Sequence, residues 1–194
     1  MNLVDRVKKL MLQPKSEWQV IDGETHTVQG LFTGYVMILA AIPAVCSFIG
    51  LSIIGSSVMG VSFRVPIEMG VMHLVLQYVF ALAFVYVFAL IIDALAPNFG
   101  SQKNFMQALK ISAFFPTAAW IGGVFSIIPV LGIIGLLFSL YSLYQLFIAL
   151  PMLMKTPADK AIIYFVVVLI VAIVLFVVIG AITAFAMPSP MRGF

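Results

Sequence analysis

Charge is what this chain has least of. Only 9% of its 194 residues are Asp, Glu, Lys or Arg, against about 25% in a soluble domain. Ten basic and seven acidic side chains cannot coat a globule of this size, while 63% of the residues are hydrophobic. A water-soluble enzyme, a disordered regulator and a secreted disulfide scaffold are excluded. Cysteine is nearly missing too. Cys46 stands alone, so neither an intrachain disulfide nor a cysteine-based zinc site can form. The bulky Val45 before it excludes a lipoprotein cleavage site, and the thiol reads as a packed membrane residue. The net charge of +3 comes from scattered residues with no dense basic patch, which argues against a nucleic-acid partner. Catalytic signatures are lacking as well: there is no H-E-x-x-H, no G-x-S-x-G, no phosphate-cradling glycine loop and no pair of intramembrane aspartates. Ser126 and Ser139 have no ionisable base in their own spans. Each lies four residues from a glycine, Gly122 or Gly135, which suits close helix packing. The chain reads as non-enzymatic, with no catalytic residue, no cofactor and no metal site.

What the chain has is long runs without charge: residues 25–63, 69–92, 111–154 and 161–191. About 20 apolar residues cross a hydrocarbon core roughly 30 Å thick. The first run holds a span over 31–54, followed by a loop of glycine and serine at Gly55-Ser56-Ser57, Gly60 and Ser62. The second run is a span over 69–92. As one helix the third run would be about 66 Å long, so it must fold back at Pro129 and Gly132 into spans over 111–128 and 133–154. The last span, 161–186, is ended by Pro188 and Pro190. Prolines 43, 116 and 151 lie inside spans one, three and four, where they can kink helices. The predicted fold is all-α. It is a polytopic integral membrane protein with five transmembrane helices in a domain over 31–187. A segment over 1–30 precedes it, formed of a short amphipathic interfacial helix and a linker, and a tail over 188–194 follows.

Charge placement orients the bundle. Residues 1–30, 93–110 and 155–160 hold Arg6, Lys8, Lys9, Lys15, Lys103, Lys110, Lys155 and Lys160, and the opposite side holds only Arg64 and Arg192. This positive-inside bias puts the N-terminus in the cytoplasm and the C-terminus outside. Thirty residues including Glu17, Asp22 and Glu24 precede the first apolar run, which is unlike a cleaved signal peptide. Within them, Leu3, Val4, Val7, Leu10 and Met11 recur at helical spacing, with Asp5, Arg6, Lys8 and Lys9 on the other face. Asn2 can cap this helix and Pro14 ends it. Such a helix lies on an anionic membrane surface or docks a partner, and Trp18 suits the headgroup region. The partners implied are the lipid bilayer, anionic headgroups at this helix, and other membrane proteins or further copies of the chain.

Few groups at membrane depth can carry chemistry. His73 and Gln77 share a helix face, Glu68 precedes His73 by about a turn, and Gln145 stands in span four beside Tyr141 and Tyr144. Glu68, His73 and Gln77 read either as a proton or cation site near the outer side or as an interhelical hydrogen-bond cluster. In the second reading Glu68 is solvated and paired with Arg64. Asp93 and Lys110 fall at helix ends, near water. Asp22, Glu24 and His26 alternate in the linker, where solvation is a better reading than metal binding.

The segment Leu140–Ala161, "LYSLYQLFIALPMLMKTPADKA", carries Tyr141 and Tyr144, then Pro151, then Lys155, Pro157 and Lys160 in a short loop before a Val/Ile-rich span. "MLQPKSEWQVI", with Pro14 and Trp18, precedes the membrane, and "AAIPAVCSFIG" surrounds Pro43. These stretches resemble bacterial members of the Yip-one domain family, in its subgroup of small inner-membrane proteins. The resemblance implies an all-helical fold with five spans, a cytoplasmic N-terminus and an opposite C-terminus. Eukaryotic members of that family look to Rab-type prenylated GTPases, work in vesicle traffic and self-associate. Their "DLYGP" motif does not occur here, and their long cytosolic domain is reduced to thirty residues. The resemblance therefore implies architecture rather than GTPase binding.

Two functions compete: a membrane interaction or organising protein, and a small transporter or channel with a path along His73, Gln77 and Gln145. The first requires polar side chains engaged between helices. The second requires a continuous polar cavity to the membrane midplane. The topology is testable at once. Alkaline phosphatase fused after Phe194 should be active and green fluorescent protein dark; the reverse pattern would refute the orientation.

Overall fold

A computed structural model describes residues 2–58 and 61–186. Gly60, Pro188, Pro190, Arg192 and the tail over 188–194 lie outside the described residues. Helices α1 (Leu3–Leu12) and α2 (Pro14–Gly23) form a hairpin ahead of five long apolar helices. These are α3 (Val28–Ile54), α4 (Ile67–Phe99), α5 (Phe105–Ile127), α6 (Gly132–Leu153) and α7 (Ala158–Ala186). By length and composition all five can cross a membrane. The fold is all-helical but for one two-stranded hairpin, β1 (Ser56–Val58) and β2 (Val61–Phe63), with Ser57 opposite Ser62. It occupies the stretch expected as a plain loop, where strand pairing lets the backbone groups satisfy one another.

Helix ends follow local chemistry more than charge. Thr27 caps α3 by accepting from the Gly30 amide at 3.0 Å, so the helix starts at Val28 rather than 31. Asn104 accepts from the Gln107 amide at 3.2 Å and starts α5 at Phe105, six residues before the expected boundary. That boundary was set by Lys110, which instead lies inside the helix and is buried. Pro116 breaks α5 between Phe114 and Thr117, whereas Pro43 and Pro151 sit inside continuous helices. Turns of π-helix at Phe32–Val36 and Ile49–Ile54 flank the Pro43 segment. The expected fold-back is a short 3-10 turn, Pro129–Leu131, ahead of α6.

α5 is the central helix, the most buried of the five, packed by α3, α4 and α6. α7 is peripheral, resting on α4 and α6 with most of its surface bare. Small residues let the backbones approach. A Cβ on Gly122 would fall 2.5 Å from the Phe138 Cβ, and one on Gly123 would fall 2.5 Å from the Pro43 Cβ. Ser126 and Ser139 turn back onto the carbonyls of Gly123 and Gly135 in their own helices. One approach is backbone to backbone: a Cβ on Gly50 would lie 2.1 Å from the Ser126 carbonyl oxygen. No side-chain rotation relieves such a contact. Gly50→Ala should therefore cost about 1–3 kcal/mol, the usual range for overpacking. Gly34→Ala, with nothing within 4 Å of the new methyl, should be neutral or slightly stabilising. Reversible unfolding in mixed micelles measures both.

Candidate functional site

Residues 2–26 were expected as an amphipathic interfacial helix and a linker; they form two helices with one face, carrying Arg6, Leu10, Glu17, Trp18 and Ile21, buried. Gln13 joins α1 to α2, and Pro14 opens α2 at a position where its missing N–H costs nothing. The two helices fold back on each other around Arg6. This arginine was expected on the outward polar face, yet it is 2% exposed. Its guanidinium pairs with Glu17 on α2 and with both carboxylate oxygens of Glu24, and lies 5.6 Å from the centroid of the Phe114 ring in α5. Phe114 also takes edge-on contacts from Trp18, Tyr35 and His26. Trp18 is fully buried, its ring finding apolar cover on the protein's own helices.

The end of α2 is fastened separately. Asp22 pairs with Lys155, and its backbone carbonyl accepts from Lys110 and Gln107 at 3.2 and 3.1 Å. Lys110 also donates to the Ile21 carbonyl at 2.9 Å. Lys110 and Asp93, both expected near water, are 3% and 8% exposed. Lys110 reaches the carbonyls left over at the α2 C-terminus, so its burial is matched by hydrogen bonds. Asp22, Glu24 and His26, expected as solvated, are thus occupied: His26 Nε2 lies 2.9 Å from Glu24 Oε2. Burial would raise the Glu24 carboxyl, but the Arg6 guanidinium and His26 outweigh it and hold it below its ordinary 4.5.

Most residues behind the family resemblance are divided between the two ends of the hairpin's seat. The Tyr141 hydroxyl donates to the Met11 carbonyl at 2.9 Å, Lys155 has a left-handed φ of 53° and holds Asp22, and Pro157 lies against Gly100. Lys160 follows Pro157, its amide bonding the Pro157 carbonyl at 3.0 Å. Pro43 is apart, packed on Gly123, and Tyr144 is exposed.

The four polar candidates do not assemble. Gln77 accepts from the Ser47 hydroxyl at 2.8 Å, between α4 and α3. His73 borders a cleft of about 240 Å³ lined also by Phe48, Leu51, Ser52, Val65 and Gly70. Glu68 is exposed in the first turn of α4, and Arg64 donates to the Ile54 carbonyl instead of pairing with it. Gln145 is fully buried on α6 and donates to the Leu10 carbonyl at 3.3 Å, as part of the hairpin's seat. Sequence reading missed Arg6 as a site residue. The usable signal was a helix break at Pro14 with a cation on one side and Glu17 and Glu24 on the other.

Removing one partner of a buried ion pair strands the other charge. Arg6→Gln should destabilise the fold by about 3–5 kcal/mol, whereas Lys155→Ala, which removes an ammonium 47% exposed, should cost under about 1 kcal/mol. A carboxyl lowered by folding stabilises the fold above its unfolded pKa, and that contribution is lost as pH falls through the folded value. Stability should therefore fall as pH drops below 4.5, and Glu24→Gln should flatten part of that decline in a pH series of melting curves.

Comparison with known proteins agrees with this architecture. Inner membrane protein YohC of Escherichia coli strain K12 is 29% identical over 122 residues, 62% of this chain and 63% of the relative. The protein of the same name from E. coli O6:H1 gives the same figures. The chain thus spans less than two thirds of the length of these relatives. No solved structure matches the chain significantly. The Yip1 domain matches residues 8–179, from the second turn of α1 to late in α7, and the chain belongs to the Yip1 domain family.

Proposed function

We propose that this protein is a non-enzymatic component of a bacterial inner membrane that acts by binding and organising its membrane surroundings. Its E. coli relatives are named as inner membrane proteins, which supports the compartment. One observation carries the functional reading: many polar side chains within the spans, Gln77 and Gln145 among them, are engaged on neighbouring helices. Tyr35 bonds Thr117 at 2.7 Å, Ser47 bonds Gln77, Ser142 accepts from the Ala119 amide at 2.9 Å, and Tyr164 donates to the Ile92 carbonyl at 2.6 Å. Groups engaged in this way hold helices together, whereas a conduction path needs groups left free to meet an ion or proton. A transport reading needs His73, Gln77 and Gln145 on one path, but Gln77 binds α3 while Gln145 binds α1.

The flux measurement discriminates. Sealed vesicles containing the purified protein and a pH gradient should leak protons and cations no faster than empty vesicles. Gln77→Leu should cost about 0.6–2 kcal/mol of stability, the range for hydrogen bonds between membrane helices. A flux present in the native protein and abolished in a folded His73→Leu variant would overturn the reading in favour of transport.

A further inference from the structure

The depth of the N-terminal hairpin can be read from its hydrogen bonds. α6 has 22 residues, and Tyr141 and Ser142 lie at its midpoint. Tyr141 donates to the carbonyl of Met11, and Gln145 to that of Leu10, so the end of α1 lies beside the middle of α6. The other end of the hairpin is fixed by Asp22 to Lys155, just beyond the α6 C-terminus. Fourteen residues separate Tyr141 from Lys155, about 21 Å at the helical rise. The hairpin therefore runs along the bundle through much of one leaflet's thickness instead of lying across its end.

The face it turns inward carries Arg6, Leu10, Glu17, Trp18 and Ile21, all buried. The face it turns outward is mixed. Val4, Leu12 and Val20 are 53%, 79% and 50% exposed, and Lys8, Lys9 and Lys15 are exposed among them. None of these three lysines forms an ion pair among the described residues. Uncompensated cations at such a depth lie farther from the headgroup layer than a lysine stem alone can span, and are costly unless local thinning of the leaflet brings a headgroup phosphate to the ammonium. Apolar side chains between them suit acyl chains.

We infer that α1 and α2 form a half-membrane wedge in the cytoplasmic leaflet, whose outer face binds anionic phospholipid. Lys8, Lys9 and Lys15 take the phosphate groups, while Val4, Leu12 and Val20 lie along the chains. This names the partner class of the proposed organising role and rests on that reading for its purpose. Its test is separate. Ion flux could overturn the organising role and leave lipid binding standing, and lost lipid selectivity would leave the flux result untouched.

The test uses the full chain in phosphatidylcholine vesicles containing phosphatidylglycerol. A nitroxide at Leu12→Cys, in a Cys46→Ser background, should collide more with oxygen than with a polar nickel chelate. It should behave like a label at Val166→Cys in α7 and unlike one at Lys103→Cys in the basic loop. In the chain with its native cysteine, spin-labelled phosphatidylglycerol should be held at the protein surface in preference to phosphatidylcholine. That preference should fall by up to about fivefold per lysine in Lys8→Gln, Lys9→Gln and Lys15→Gln, and in high salt. These lysines lie outside the Arg6 network, so the variants keep the fold. A Leu12 label as chelate-accessible as the Lys103 label, or a preference unchanged in the triple variant, overturns the inference.

Discussion

The burial of one guanidinium governs how the chain begins. Arg6 cannot leave water without compensation, since an isolated charge in a low-dielectric interior is prohibitive. Two carboxylates meet it, one from α2 and one from the segment after α2, while Phe114 presents its ring. The cation lies before the turn at Pro14 and both carboxylates after it, so satisfying Arg6 closes α1 onto α2 and fixes the pair against α5. Such a pair is weak evidence for added stability, because apolar replacements often do as well. What it supplies here is register. A hairpin shifted by one turn would strand a cation or a carboxylate in the protein interior.

The rest of the bundle obeys a different economy. Between α3, α4, α5 and α6 the driving force available in water is absent, because lipid tails are as apolar as leucine. Close backbone approach and shared hydrogen bonds take its place. Gly50, Gly122 and Gly123 permit the first, against the Ser126 carbonyl, Phe138 and Pro43. Tyr78 and Ser142 supply the second by bonding backbone groups of neighbouring helices. Pro116 interrupts α5 where its neighbours compensate: the Thr117 hydroxyl returns to the Phe114 carbonyl and also meets Tyr35. α7 has little of either device, which agrees with its peripheral place.

The spans were legible because hydrocarbon thickness sets a length that composition cannot disguise. Five helices and the fold-back near Pro129 follow from charge-free runs alone. Their ends were less legible, since a caps-and-carbonyls rule overrides a charge rule. Lys110 looks like a boundary in the sequence and is an interior hydrogen-bond donor in the fold. The hairpin was half legible. Period and capping gave α1, with Asn2 accepting from the Val4 amide at 3.0 Å, but the same helical wheel placed Arg6 with the solvent-facing lysines. A one-helix pattern cannot register a partner supplied eleven and eighteen residues later. Grouping Gln145 with His73 and Gln77 failed for a related reason. Membership in a span says nothing of which neighbour a face meets.

Tight local requirements cluster at the basic end. The Gln102 amide bonds the Met154 carbonyl at 2.9 Å and Ser101 meets Thr156 at 2.8 Å, locking the turn between α4 and α5 to the turn between α6 and α7. Gly100, with φ of 68°, reverses the chain beside Pro157. Lys155 adopts a left-handed φ without being glycine and delivers its ammonium to Asp22. Each position answers to another element as well as to its own helix, so few residue types fit. The stretch from Tyr141 to Lys160 reads as a signature because it holds the hairpin's seat and the adjoining turn. The tightest of these constraints thus fall where the hairpin's end meets the turns between helices, among Lys103, Lys110, Lys155 and Lys160, on the side where basic residues gather.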